Sequence, residues 1–168
     1  MNKRIFTFFL LACFSLNGLA QTSIQSAEIT FVFVSKKVEG SISGFKSTSI
    51  IDLENLSNSR FSGSVTVETL KTGNFLRDWS LKSGKYFNAD DHPVITFHGS
   101  SVSATDIGFT VMGMLTIKGK ENPITIDFTQ KENKLLGTAT LFSSDFGIDI
   151  KKKREDNKVE VRLEFLLE

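Results

Sequence analysis

Catalytic or metal chemistry in this chain would have to be built from very few residues. There are two histidines, His92 and His98, and one cysteine, Cys13. The two imidazoles lie either side of Pro93 at a spacing that matches no metal-ligand pattern, and a single cysteine excludes a multi-cysteine zinc site. Alternation also turns His98 away from Ile95 and Phe97, onto a solvent face. A serine hydrolase needs an activated hydroxyl on a sharp elbow. Gly40-Ser41-Ile42-Ser43-Gly44 places two serines between glycines, but at the wrong spacing and in a strand or turn. Hydrolysis is therefore a weak alternative. Lys151-Lys152-Lys153-Arg154 is the one basic cluster, and Asp149, Glu155 and Asp156 beside it largely cancel its charge, as in a solvated hairpin loop. With 20 Lys plus Arg against 19 Asp plus Glu, nothing favours a nucleic-acid partner. What the chain has in abundance is apolar surface: 40% hydrophobic residues and 16 phenylalanines.

The elements that must position this surface read as strands. Val159, Val161, Leu163, Phe165 and Leu167 alternate with Glu160, Arg162, Glu164 and Glu168, with Leu166 the exception, which is a strand with one buried and one wet face. Similar runs cover Glu28 to Ser35, Phe45 to Leu53, Phe61 to Leu70, Val94 to Ala104, Phe109 to Lys118, Pro123 to Gln130 and Leu135 to Ser144, separated by turn-forming residues. These make eight strands, or nine if Val38 to Ile42 stands alone. The fold class predicted is all-β: an antiparallel eight-stranded barrel, with a sandwich as the second choice.

Two segments stand outside this pattern. Residues 1–20 combine Lys3 and Arg4, an apolar run from Ile5 to Leu16 and small residues before Gln21, which predicts a signal peptide cleaved after Ala20 and a domain over 21–168. The apolar run is short of the about 20 residues of a membrane span, so no integral span is expected. Cys13 is expected to leave with the leader, and the periplasm or the exterior is the expected location. The second segment, Thr72 to His92, predicts one short helix at a barrel end, with Asn74 as N-cap, Phe75, Leu76 and Trp79 at helical spacing and Gly84 as its stop. In this reading Phe75 and Trp79 plug that end, while Arg77, Lys82 and Lys85 face water or pair with acids.

This same segment carries a resemblance. Thr72-Gly73-Asn74-Phe75-Leu76-Arg77-Asp78, followed by Leu81-Lys82-Ser83, Tyr86-Phe87, Pro93 and Phe97, resembles the signature of the YceI-like family. Leu115-Thr116-Ile117-Lys118-Gly119 with Pro123 and Ile124 resembles its second landmark, and Asp145-Phe146-Gly147-Ile148 its third. The chain departs from the pattern at Trp79, Ser80 and Ser144. The resemblance implies a lipocalin-like barrel that is secreted, is not an enzyme and needs no cofactor. It also implies binding of a long apolar lipid: a polyisoprenoid, an isoprenoid quinone or a fatty-acid derivative.

Alternation and this resemblance together nominate Phe31, Phe33, Phe97, Phe109, Val111, Leu115 and Phe128, with Phe75 and Trp79 from the helix, as the ligand-facing wall. Thr72, Gly73, Asn74, Arg77 and Asp78 could line the entrance, but a structural role is favoured: Gly73 for a backbone angle, Asn74 as a cap, Arg77 or Asp78 in a charge pair. The competing reading is a barrel filled by its own side chains and acting through its surface, as a monomer or dimer.

Overall fold

In the computed structural model residues 22–168 are described; the leader expected over 1–20, with Cys13, lies outside them. The elements in chain order are β1 (Ile24–Phe33), β2 (Val38–Ile42), β3 (Lys46–Ser47), β4 (Ser62–Thr66), α1 (Phe75–Lys82), β5 (Val94–Thr105), β6 (Gly108–Ile117), β7 (Lys120–Lys131), β8 (Lys134–Phe142) and β9 (Lys158–Leu167). The strands form one antiparallel sheet in the order β2-β1-β9-β8-β7-β6-β5-β4-β3. Nine strands replace the eight because β2 is separate: residues 34–37 make a tight turn in which Lys37 takes a left-handed conformation (φ 51°).

The strand expected over Phe45 to Leu53 shrinks to the two residues of β3, with single bridges beyond it at Ile50 and Ile51. Serine hydroxyls take over backbone partners there: Ser47 Oγ accepts from Ser49 N at 3.0 Å, and Ser49 Oγ accepts from Ser62 N at 3.0 Å. The run expected to reach Leu70 likewise ends at Thr66, where residues 67–69 form a 3-10 turn.

The sheet curls until its two edges meet. Ser41 N donates to Lys71 O at 2.8 Å, Lys71 N to Ser41 O at 3.0 Å and Thr66 N to Ser43 O at 3.0 Å, which ties β2 to the segment after β4. Thr22 and Ile51 exchange a second pair of bonds at the other end of this seam. The result is a barrel whose last junction is a few bonds rather than a full ladder, so little edge is left unpaired.

The two ends differ. At the far end, which holds the β5–β6 and β7–β8 turns, five rings pack into a floor. Phe61, Phe109 and Phe128 sit at mutual centroid distances of 5.3 to 5.6 Å, and Phe165 joins Phe128 at 5.8 Å and Phe45 at 5.1 Å. Such offset pairs add about 0.5–1.5 kcal/mol each beyond the area they bury. Glycines make room for the rings. A Cβ on Gly40 would lie 2.3 Å from the Phe31 ring, one on Gly113 2.5 Å from Phe97 and one on Gly137 2.6 Å from Phe128. The helix end carries α1, the β6–β7 turn and the loop 143–157. Fully buried Asn157 holds that loop, accepting from Ile150 N and Lys151 N at 3.0 and 2.9 Å and donating to Lys151 O and Lys153 O at 2.8 Å. Arg154 does not stay free in solvent: it makes a bidentate pair with Asp145 at 2.8 and 2.6 Å and lies over the Phe142 ring.

Asp52 organises the long β3–β4 loop. Its carboxylate accepts from Asn58 Nδ2 at 2.9 Å and from the backbone N–H groups of Asn55 and Glu54. These donors hold its pKa below the usual aspartate value, the Asn58 side chain contributing most. A carboxylate with a lowered folded pKa contributes stability above the unfolded value, and that contribution is lost as pH falls through the folded one. Asp52→Asn should therefore melt below the parent at neutral pH, with the gap narrowing only as the pH falls below about 4, the ordinary aspartate value. Melting curves across that range test this, and a gap independent of pH would remove Asp52 as the acid-sensitive clasp.

Candidate functional site

Between the phenylalanine floor and the helix end lies a cavity of about 620 Å³. Its walls come from the inward side chains of the curled sheet, including Phe31, Phe33, Phe97, Leu115, Ile126, Ala139, Val161 and Leu163. Among the described residues the charged side chains on its wall are Lys36 and Arg77, both at the helix end. A methylene takes about the ~30 Å³ of a liquid water, so a cavity of this volume accepts roughly 20 such groups.

The expected wall residues divide into three groups. Phe31, Phe33, Phe97, Leu115 and Phe128 line the cavity. Phe109 and Val111 point inward but are packed into the core, 4% and 0% exposed, Phe109 within the floor itself, and neither lines the cavity. Phe75 and Trp79 are a correction. They are 80% and 69% exposed, with Leu76 at 73%, and they plug nothing.

The reason is a polar knot beneath the helix. Thr72 is buried, and Arg77 reaches back to it: Nε donates to Thr72 Oγ1 at 2.7 Å and Nη2 to Thr72 O at 2.8 Å. Thr72 N donates in turn to Asp78 Oδ1 at 2.8 Å, and the Thr72 hydroxyl donates to the same oxygen. With Arg77 and Asp78 pinned inward, the helical repeat carries Ser80 and Leu81 to the cavity side and Phe75, Leu76 and Trp79 to the opposite side. Arg77 thus faces the cavity rather than water. Asn74 caps the helix as expected, accepting from Arg77 N at 3.0 Å, and the helix stops at Lys82, one residue before the Ser83 cap.

Sequence reasoning passed over several mouth residues. Leu81, Tyr86 and Phe87 line the cavity, and Phe87 N donates to Leu81 O at 2.9 Å, folding the post-helix turn against the barrel. Phe146 and Ile148, each 1% exposed, close the wall beside them. All five belong to the recurring motifs, which was the available signal. The serine–histidine contact of the site region, Ser62 Oγ to His98 Nδ1 at 2.9 Å, involves exposed His98, whose ring alternates away from inward-facing Phe97. Among the described residues no carboxylate hydrogen-bonds the other ring nitrogen, so the pair lacks the orienting group of a triad.

Gly73 sets the entry to the helix with φ +74°, and a Cβ there would meet nothing within 4 Å. The constraint at this position is the backbone angle alone. Gly73→Val should lower stability by about 1 kcal/mol or more, and Gly73→Asn by less, because asparagine tolerates the left-handed region. Chemical denaturation of the three proteins checks the ranking; equal stabilities would show that the angle carries no strain.

Comparison with known proteins agrees with this architecture. The YceI-like domain matches residues 19–168. A UPF0312 protein of Staphylococcus aureus is 35% identical over 114 residues, covering 68% of this chain and 63% of that protein. A UPF0312 protein of Pseudomonas paraeruginosa is 27% identical over 139 residues, covering 74% and 70%. The chain thus spans slightly less than two thirds of the staphylococcal relative. Among solved structures, BcnA of Burkholderia cenocepacia superposes with a TM-score of 0.67 at 20% identity, covering 84% of this chain and 94% of that one. A polyisoprenoid binding domain from Saccharophagus degradans gives 0.59 at 12% identity, covering 88% and 97%. At these identities the structural matches speak to the fold. The continuous match over nearly all of the sequence establishes that the chain belongs to the YceI-like domain family.

Proposed function

We infer that this protein binds one long apolar lipid inside the barrel: a polyisoprenoid, an isoprenoid quinone or a fatty-acid derivative. The cavity carries the inference. An apolar cavity of about 620 Å³ that opens at the helix end keeps its wall in contact with water, at a free-energy cost, unless something apolar fills it. Hydrocarbon removes that cost, and each buried CH₂ adds about 0.8 kcal/mol of affinity. The alternative of a barrel filled by its own side chains is disfavoured by the same void. The polyisoprenoid-binding description of the Saccharophagus domain supports the ligand class. Binding rather than catalysis is the activity proposed, and export by the leader over 1–20 to the periplasm or exterior goes with it.

The experiment is a titration of delipidated protein with prenyl and acyl chains of increasing length. Affinity should rise with each carbon and level off near about 20 carbons, where the cavity is full. For uncharged prenyl chains salt should change it little, because among the described residues the wall carries no charge except Lys36 and Arg77 at the mouth. Leu115→Lys places a charge in the wall and should abolish binding, and Ala139→Phe, which fills space without charge, should shorten the longest chain accommodated. Circular dichroism and melting establish that both variants fold. Affinity independent of chain length, or folded variants that bind as the parent does, would remove the internal site.

A further inference from the structure

The apolar face of α1 points away from the protein. Phe75, Leu76 and Trp79 form one contiguous exposed patch, while the opposite face of the same two turns lines the cavity through Arg77, Ser80 and Leu81. Large exposed apolar groups gathered in one place mark a surface that meets something. Their position, on the element that forms the mouth, says what that something must be near.

Area and charge narrow the choice. Three such side chains offer at most roughly 500 Å², short of the about 800 Å² per partner of a stable protein interface. A bilayer has no such threshold, since each residue partitions by its own burial, and a helix with tryptophan, phenylalanine and leucine on one face is suited to the headgroup boundary. The same end of the barrel carries Lys36 and Lys37 in the β1–β2 turn, Lys85 behind the helix and Lys118 in the β6–β7 turn; no ion pair joins any of them to a carboxylate among the described residues. Acids share this end, with Asp90 and Asp91 after the helix and Asp149, Glu155 and Asp156 in the loop 143–157, so the lysines act as local groups around the helix rather than through a net field; the far end mixes Glu54, Asp106, Glu132 and Glu168 with Lys131 and Lys134. No helix of the described residues is long and apolar enough to cross a membrane, so the contact would be one of lying on the surface.

We propose that α1 docks the mouth of the barrel onto an anionic lipid bilayer, with Phe75, Leu76 and Trp79 entering the headgroup–acyl boundary and the lysines meeting the lipid phosphates. The purpose of the contact rests on the lipid-cavity reading. A chain longer than the cavity holds must leave it at this mouth, where docking keeps the emerging part in hydrocarbon throughout exchange.

Trp79 is the one tryptophan in the sequence and reports on the helix directly. The full chain is mixed with phosphatidylcholine vesicles with and without phosphatidylglycerol, and with vesicles whose acyl chains carry bromine. The expected result is a blue shift of Trp79 emission and its quenching by bromine, about tenfold tighter on the anionic vesicles and weakened by salt. Phe75→Ser/Leu76→Ser, at exposed sites that leave the fold intact, should lose the shift. Leu115→Lys, which blocks the cavity, should keep it. That last result separates the two readings: docking that survives a blocked or non-binding cavity stands by itself. An unchanged Trp79 spectrum in a protein that still binds soluble acyl chains overturns docking and leaves the cavity untouched. A shift equally strong in Phe75→Ser/Leu76→Ser places the contact on another surface and also overturns it.

Discussion

The rings inside this barrel have to lie down, and where they can do so decides the rest of the structure. Phe31, Phe97 and Phe128 lie across neighbouring strands at Gly40, Gly113 and Gly137, where the missing Cβ atoms leave room for them, and with the rings laid flat the centre of the barrel stays open. At the far end there is enough width for rings to meet, and Phe45, Phe61, Phe109, Phe128 and Phe165 stack into a floor. Among the described residues no comparable stack forms at the helix end. An apolar space closed at one end follows from that asymmetry, and so does the restriction of charged wall residues to the mouth.

The helix is the second consequence. Its orientation is fixed by one buried threonine, whose hydroxyl and backbone engage Arg77 and Asp78 at once. Buried polar groups are costly unless satisfied, so turning the helix to bury Phe75 and Trp79 would break this knot and strand Thr72 without partners. The helix keeps the knot, and its apolar face, with Phe75 80% and Trp79 69% exposed, is left available for a contact outside the protein.

Much of this was legible in the residues. Period-two alternation located most strands because one face is wet and the other dry, and Gly73 and Asn74 announced the helix start through backbone freedom and capping chemistry. Alternation failed over Phe45 to Leu53, where serine hydroxyls compete for the backbone. It correctly turned Phe109 and Val111 inward but says nothing about height along the barrel, so it could not tell floor from wall. Helical spacing identified Phe75, Leu76 and Trp79 as one face without saying which way that face points; Thr72 decides this from outside the helix. The glycines beneath the rings needed the strand register, and Asn157 needed the loop conformation, neither of which a single sequence supplies.

In the proposed binding mode an acyl or prenyl tail enters past Arg77 and ends on the phenylalanine floor. Anomalous diffraction from crystals grown with a fatty acid carrying a terminal bromine locates that end directly. The bromine is expected against Phe61 and Phe128, some 20 carbons or fewer from a headgroup beside Lys36 and Arg77. A bromine found on the outer face of the sheet, or beside Arg77 with the floor unreached, would contradict it.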